Sequence, residues 1–354
     1  MNNILTVTKR SLVILMLTAF VGCAKSVSQE KKSSSTPATK SSQSPDLTKV
    51  KKSPESRSRK FRFHYDFQLT DLPPGAKVRV WMPVPPSNKH QTVTELERKL
   101  PVKASVAKDA KYGNAMLYLE PESPESGKLD FSLAYKVERK EVQGTTPNKD
   151  ATTINPADRK QFLAPNEKVP LTGKPLELLS GQKLPKPGLG LGRKLYDRVD
   201  EHMKYDKSVP GYGKGDVVWA CDSRTGNCTD FHSLFISLAR SQGLPARFEI
   251  GFPLPAKRGS GTIGGYHCWA HFFVENHGWV PIDISEADKH PEKKDYFFGN
   301  ITEDRLTFTT GRDIVLVPRQ AGKPLNYFVY PYIEVNGKPW PKTKIQTRFR
   351  FEDI

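Results

Sequence analysis

The sequence has no apolar run long enough to cross a bilayer. Its longest apolar run, SLVILMLTAFVG at 11–22, covers 12 residues, where a spanning helix needs about 20. Preceded by Lys9 and Arg10, it reads instead as the h-region of a secretory signal. Cysteine is scarce as well: four in 354 residues, too few for a disulfide scaffold. Acidic residues are outnumbered, with 38 Asp+Glu against 55 Lys+Arg and a net charge of +17. The excess is nevertheless not massed on a recognition element with interleaved aromatic platforms, which argues against a nucleic-acid partner. No acidic oxygen-ligand loop of the calcium-binding kind is present, and no internal repeat is visible.

Much of the positive charge lies near the N-terminus. Residues 23–60 hold ten Lys/Arg and three acids, and Lys9 and Arg10 add two more, so 61–354 carries only +8. A basic tail of this kind suits an anionic membrane surface or cell-wall polymer. The h-region ends in AFVGC, where Gly22 before Cys23 resembles a bacterial lipobox, with Phe20 in place of the usual Leu. The expectation is a signal peptide over 1–22, lipidation of Cys23, and export of the chain as a lipid-anchored protein facing the periplasm or the exterior. Residues 23–60, rich in Ser, Lys, Pro and Thr, read as a disordered tether, because little there can offset ordering entropy. Setting Cys23 aside leaves Cys221, Cys228 and Cys268, an odd number in an oxidising compartment.

Ordered texture begins with KFRFHYDFQLT, which alternates Phe61, Phe63, Tyr65 and Phe67 on one face. Further strand-like runs (76–86, 111–121 and 128–142) make 61–142 an antiparallel β domain. Residues 143–190, rich in Pro, Asn and Lys, read as a connector. From 191 a helix is predicted on the spacing of Leu195, Val199 and Met203, followed by a Gly-rich loop. A second helix starts at Cys228, with Phe231, Leu234, Phe235, Leu238 and Ala239 as its buried stripe. Strands are predicted over 247–254, 266–276, 278–285, 313–318 and 325–337, so 191–354 reads as one catalytic domain with C-terminal strands.

Taken alone, Cys228 reads as a small buried hydrophobe as readily as a nucleophile. Its surroundings in sequence change that balance. A thiol at a helix start feels the positive end of the dipole. A histidine on one strand (His267, in HCW) and a carboxylate on the next (Asp283, in WVPID) can complete a Cys-His-Asp arrangement, since the turn at 275–278 lies roughly midway between them. A metal site is the competing reading, because Cys228, His232, His267, Cys268, His271, His277 and Asp283 are all ligand types. On a regular strand, however, His267 and His271 stand roughly 13 Å apart, too far to share one ion whose donors lie within about 2.3 Å of it. No metal and no cofactor is expected. His232 is read as a polar helix-face residue able to line the site, His271 as a surface or groove residue, and His277 as a solvated turn residue. Trp219 and Trp269 are site-wall candidates, Trp219 also a possible indole donor to an oxyanion. Cys221 and Cys268 are a candidate disulfide that would leave Cys228 as the odd thiol.

Three spaced elements, Gly226-Asn227-Cys228, His267-Cys268-Trp269 and Gly278-Trp279-Val280-Pro281-Ile282-Asp283, resemble the transglutaminase-like superfamily of papain-related cysteine enzymes over about 190–320. The resemblance implies an α+β fold with the nucleophile helix packed on an antiparallel sheet. It also implies Cys228 as nucleophile, His267 as general base and Asp283 as orienting carboxylate. His271 stands where members often carry Glu, which leaves any role of that Glu unassigned. The implied chemistry is thiol-dependent acyl transfer on glutamine or other amide side chains, or on peptide bonds, of a peptide or protein substrate. Alternatives are a cysteine protease of the cell envelope and a non-catalytic envelope binding protein on the same fold.

Overall fold

The computed structural model describes residues 56–147 and 153–354. The leader at 1–22, Cys23 and the tether as far as residue 55 lie outside the described residues. β1 (Ser58–Leu69) starts three residues before the expected boundary. It buries Phe61, Phe63, Tyr65, Phe67 and Leu69 on one face, as its two-residue alternation requires. It is followed by β2 (Val78–Pro83), β3 (Gln91–Lys99), β4 (Ser105–Lys108), β5 (Ala115–Leu119), β6 (Leu129–Lys140) and β7 (Val142–Gln143). Next come α1 (Pro156–Leu163), α2 (Leu189–His202), β8 (Lys204–Tyr205), α3 (Val217–Ser223), β9 (Thr225–Gly226) and α4 (Cys228–Ser241). β10 (Ala246–Pro253), β11 (Ser260–Ile263), β12 (His267–Val274), β13 (Gly278–Ile282), α5 (Ile284–Lys289), α6 (Lys294–Phe297), β14 (Asn300–Ile301) and β15 (Arg305–Thr310) precede the closing strands β16 (Tyr332–Val335), β17 (Lys338–Pro339) and β18 (Ile345–Asp353).

The fold is α+β, as expected. Two five-stranded sheets are ordered β11-β18-β1-β6-β3 and β17-β16-β2-β5-β4, and a four-stranded sheet is ordered β13-β12-β10-β15. The C-terminal strands do not stay with the helices. β18 pairs antiparallel along β1 from Phe61↔Asp353 to Leu69↔Ile345, and β16 pairs with β2. Pro54–Ile354 is accordingly one compact unit, without a break at 142/191. The physical reason lies in β1: its aromatic face is central and needs a partner strand on each side, β6 on one and β18 on the other. That face packs onto the four-stranded sheet, with Phe63 5.1 Å from Phe252, Tyr65 5.7 Å from Phe308 and Phe349 4.4 Å from Phe252 between ring centroids. α4 packs against β10 and β12, where Phe235 meets Phe272 at 5.9 Å.

Two further expectations change. The connector is not featureless: Asn155 caps α1 by accepting from the Asp158 N–H, with Pro156 in the first turn, and a 3-10 turn over Lys174–Leu179 buries Leu178 and Leu179. Residues 313–318 form no strand; Asp313 sits at φ +57 and only an Ile314↔Leu325 bridge follows. Among the described residues no helix is long and apolar enough to cross a membrane.

Candidate active site

Cys228 is the first residue of α4, as the sequence predicts, and the local chemistry explains why the helix begins there. The Asn227 side chain accepts from the Thr229 N–H at 2.8 Å, and the Asp230 carboxylate reaches back to the Asn227 N–H at 2.9 Å, a capping box. The helix ends in a Schellman arrangement, with Gly243 at φ +74 and its N–H bonded to Arg240 O, and Leu244 N–H bonded to Ala239 O. Between these ends Phe231, Leu234, Phe235 and Leu238 are fully buried, each contributing about 1.5–3 kcal/mol. Asp230 also takes the N–H groups of Gly213 at 2.7 Å and Gly215 at 2.8 Å. Buried Arg312 holds the same loop from the other side, donating to Gly215 O and Lys214 O at 2.9 Å each. The Gly-rich loop is thereby fastened to the first turns of α4. Gly215, at φ +57, has Ser233 Oγ and Arg312 Nη1 where a side chain would stand.

His267 opens β12, and Asp283 follows β13 as the N-cap of α5. The hairpin register pairs Ala270 with Ile282, so position 283 falls opposite Trp269, one step along the same face from His267. His267 Nε2–H donates to Asp283 Oδ2 at 2.7 Å. Asp283 Oδ1 accepts from Ser285 Oγ and from the Glu286 N–H, both at 3.1 Å. With Nε2 engaged by Asp283, the other ring nitrogen is free of that bond, and Cys228 lies close enough to His267 and Cys268 for both to act on its thiol. All three groups are buried. Burial alone would lower the pKa of His267, but the Asp283 carboxylate and Cys228 hold it up at about 9. Burial alone would raise Cys228; the hydrogen bond from Cys268 and the charge of His267 bring it well below the usual thiol range instead. Asp283 is likewise held far below the carboxylate range against its burial, by His267 and Arg305. Both shifts act in the sense of a thiolate–imidazolium pair.

The remaining residues singled out from sequence divide between the site and the core. His232 is fully buried, not on a polar helix face, because α4 is surrounded by α2, α5, β10 and β12. Its Nε2 accepts from the Ile284 N–H at 3.0 Å and its Nδ1 lies 3.8 Å from Cys268 Sγ; burial keeps it neutral. The Cys221–Cys268 disulfide does not form, and Cys221, Cys228 and Cys268 are all free. Cys268 turns towards α4, 3.7 Å from Thr229 Oγ1. Cys221 sits on α3 beside Lys174 and Glu177, where burial pushes its thiol up to about 11. Trp269 is a wall of the His267 site: its ring lies 6.2 Å from the imidazole, and its Nε1–H donates to Glu249 Oε2 at 3.1 Å. Trp219, half-buried on α3, lays its indole edge on Gly211.

His271 is buried, not a surface or groove residue, on the face that the four-stranded sheet turns to the N-terminal strands, 3.5 Å from Glu249. Burial pushes its pKa down to about 3. His277 is in the β12–β13 turn, as expected. Sequence reasoning missed Asp230, Tyr266, Glu286, Arg305 and Arg312. The Tyr266 hydroxyl bonds Asn227 Nδ2 at 3.1 Å and Thr229 Oγ1 at 2.9 Å, tying the residue before His267 to the start of α4. One group of metal-ligand type is gathered, His267, Asp283 and Glu286, with atoms within 4.8 Å of one another. The Arg305 guanidinium already lies against both carboxylates, at 3.5 and 3.6 Å, so the cation at this place is a side chain.

A thiol at a helix start is thus set against a histidine and a carboxylate on an antiparallel sheet. Residues 180–284 match the family model of the transglutaminase-like superfamily. An uncharacterized protein of Haemophilus influenzae is 29% identical, the alignment covering 78% of this chain and 86% of that protein. A crystal structure from Cytophaga hutchinsonii, of a protein provisionally assigned as a cysteine protease, superposes with a TM-score of 0.53 at 14% identity, covering 84% of this chain and 99% of that one. At that identity the likeness is one of fold.

Proposed function

We propose that the protein is a thiol-dependent acyltransferase or hydrolase acting on peptide or protein amides, with Cys228 as nucleophile, His267 as general acid and base, and Asp283 as the orienting carboxylate. The observation that carries this reading is the 2.7 Å bond from His267 to Asp283 with Cys228, the first residue of α4, buried beside His267 so that each raises or lowers the other's pKa in the sense of an ion pair. In the first half-reaction the thiolate attacks the amide carbonyl carbon. The C–N bond breaks, the amine leaves with the proton from His267 Nδ1, and a thioester remains on Cys228. In the second, an amine or water gives its proton to His267 and attacks the thioester, restoring the thiolate. Asp283, held by Ser285 and the Glu286 N–H, keeps the ring in the tautomer both steps need. The Cys228 N–H, at a helix start where amides lack intrahelical acceptors, is the oxyanion donor. Export and lipid anchoring through Cys23 belong to the same proposal, supported by Lys9, Arg10 and the AFVGC junction.

The test is to incubate wild type and Cys228→Ala with a glutamine-containing protein plus a fluorescent amine, and separately with peptides. Thiol-dependent incorporation or cleavage that the variant lacks supports the reading, and which of the two occurs identifies the acyl acceptor. Absence of both, together with no iodoacetamide labelling of Cys228, leaves a binding protein on this fold. For the anchor, full-length protein is expected in the detergent phase and Cys23→Ser in the aqueous phase; equal partitioning contradicts it.

A further inference from the structure

His267 has more than one carboxylate at its Asp283 side. Glu286 stands on the first turn of α5, and its Oε1 lies 3.9 Å from His267 Nε2, beside the 2.7 Å bond to Asp283. Its own backbone N–H caps Asp283. The two carboxylates are brought together with Arg305 at their junction: Nη2 is 3.5 Å from Asp283 Oδ2 and 3.6 Å from Glu286 Oε1. Little else fixes this buried guanidinium. Its Nε has no hydrogen-bond partner, and Nη1 makes a single 3.4 Å contact with Asp304 O. The charged groups that its Nη2 meets are the two carboxylates. On the outer side Lys289 Nζ contacts Glu286 Oε1 at 2.5 Å.

We propose that Glu286 is a second positioning carboxylate for His267, stabilising the imidazolium together with Asp283, and that Arg305 is the opposing cation that limits this stabilisation. The inference rests on the reading of Cys228 and His267 as a thiolate–imidazolium pair. The charged and titratable groups that bear on the ring are Cys228 and His232 from α4, Cys268 from β12, Asp283 and Glu286 at the start of α5, and Arg305 from β15. Tyr205 from β8 faces Cys228, Glu286 and Asp283. Of these, Glu286 is the one acid beyond the proposed triad and Arg305 the cation that lies against both carboxylates, while Lys289 touches Glu286 alone. Their removal must act on the imidazolium in opposite senses. Losing Glu286 destabilises it; losing Arg305 stabilises it. A purely structural ion pair would give no such opposition.

The experiment measures the rate of iodoacetamide alkylation of Cys228 against pH in full-length wild type, Glu286→Gln, Arg305→Gln and Arg305→Lys. In wild type a plateau is expected from acid pH up to a second step near pH 9, where His267 loses its proton. Glu286→Gln is expected to lower that upper step by about one pH unit, the effect of a close charge at an effective dielectric of about 20 after Arg305 and Lys289 offset most of it. Arg305→Gln should raise the step, and Arg305→Lys should leave it near the wild-type position. Glu286 is part-exposed, so Glu286→Gln carries the test alone should Arg305→Gln not fold. An upper step in Glu286→Gln that is unmoved or raised overturns the inference while leaving the thiolate–imidazolium reading intact. A wild-type profile without a plateau overturns the reading itself.

Discussion

Replacing Asp230 by asparagine should loosen the loop that flanks Cys228. The Asp230 carboxylate accepts three backbone N–H groups: Gly213 and Asn227 on Oδ2 and Gly215 on Oδ1. An asparagine retains one oxygen, so at least one buried N–H faces an amide NH2 and loses its acceptor, at a cost of about 1–3 kcal/mol. The two retained bonds lose their charge assistance. Against this, burial outweighs the three N–H bonds and holds the Asp230 carboxyl above the usual range, so deleting the charge returns part of the loss. The net destabilisation is about 1–3 kcal/mol, a fall in Tm of roughly 2–8 °C for a unit of this size. Exposed Lys214 lies inside the fastened loop, so trypsin should cut after it faster in the variant. An unchanged Tm together with unchanged cleavage after Lys214 would refute the clamp and its link to α4.

Two other perturbations follow from the same geometry. Gly215→Ala places a methyl against Ser233 Oγ and 2.8 Å from Arg312 Nη1 at a φ of +57; thermal unfolding should show a loss of about 1–3 kcal/mol, and slower alkylation of Cys228 should accompany it. The third concerns acid. The folded pKa of His271 is pushed down to about 3 from an ordinary 6.5, so the unfolded chain binds the proton first and stability falls as pH drops from 6.5 towards 3. By pH 4 this amounts to about 3 kcal/mol. His271→Phe should flatten the fall in urea midpoint between pH 7 and pH 4, and an identical slope in the variant would contradict the assignment.

The parts of the site that were legible in the sequence are local or periodic. Asn227 before Cys228, the apolar stripe from Phe231 to Leu238, and the hairpin of His267 and Asp283 all rest on spacing of a few residues. Asn227 and Asp230, three apart, also carried the capping box, a signal present but unused. The illegible parts are long-range. Nothing near β18 in sequence announces that IQTRFRFED pairs with β1 almost 290 positions earlier, because an alternating strand fits several edges. Arg305 reaches Asp283 across 22 positions and three strands, with no motif to mark it. Cys268 meets Thr229 and His232 of α4 and not Cys221, the partner expected from sequence, since which helix covers its face of the strand is decided by packing. His271 reads as exposed because histidine is polar; its burial follows from the N-terminal sheet lying over that face, an arrangement the domain boundary at 142 had concealed.

The central claim is that Cys228 is a thiolate paired with protonated His267 at neutral pH. The most direct measurement is the ultraviolet absorbance of the thiolate as a function of pH, taken as the difference between wild type and Cys228→Ser. The account predicts that the Cys228 signal is already present at neutral pH, titrating well below the ordinary thiol value of about 8.5, and that His267→Ala moves it up towards that value. A signal that emerges only through pH 8–9 in wild type, unchanged in His267→Ala, would contradict it.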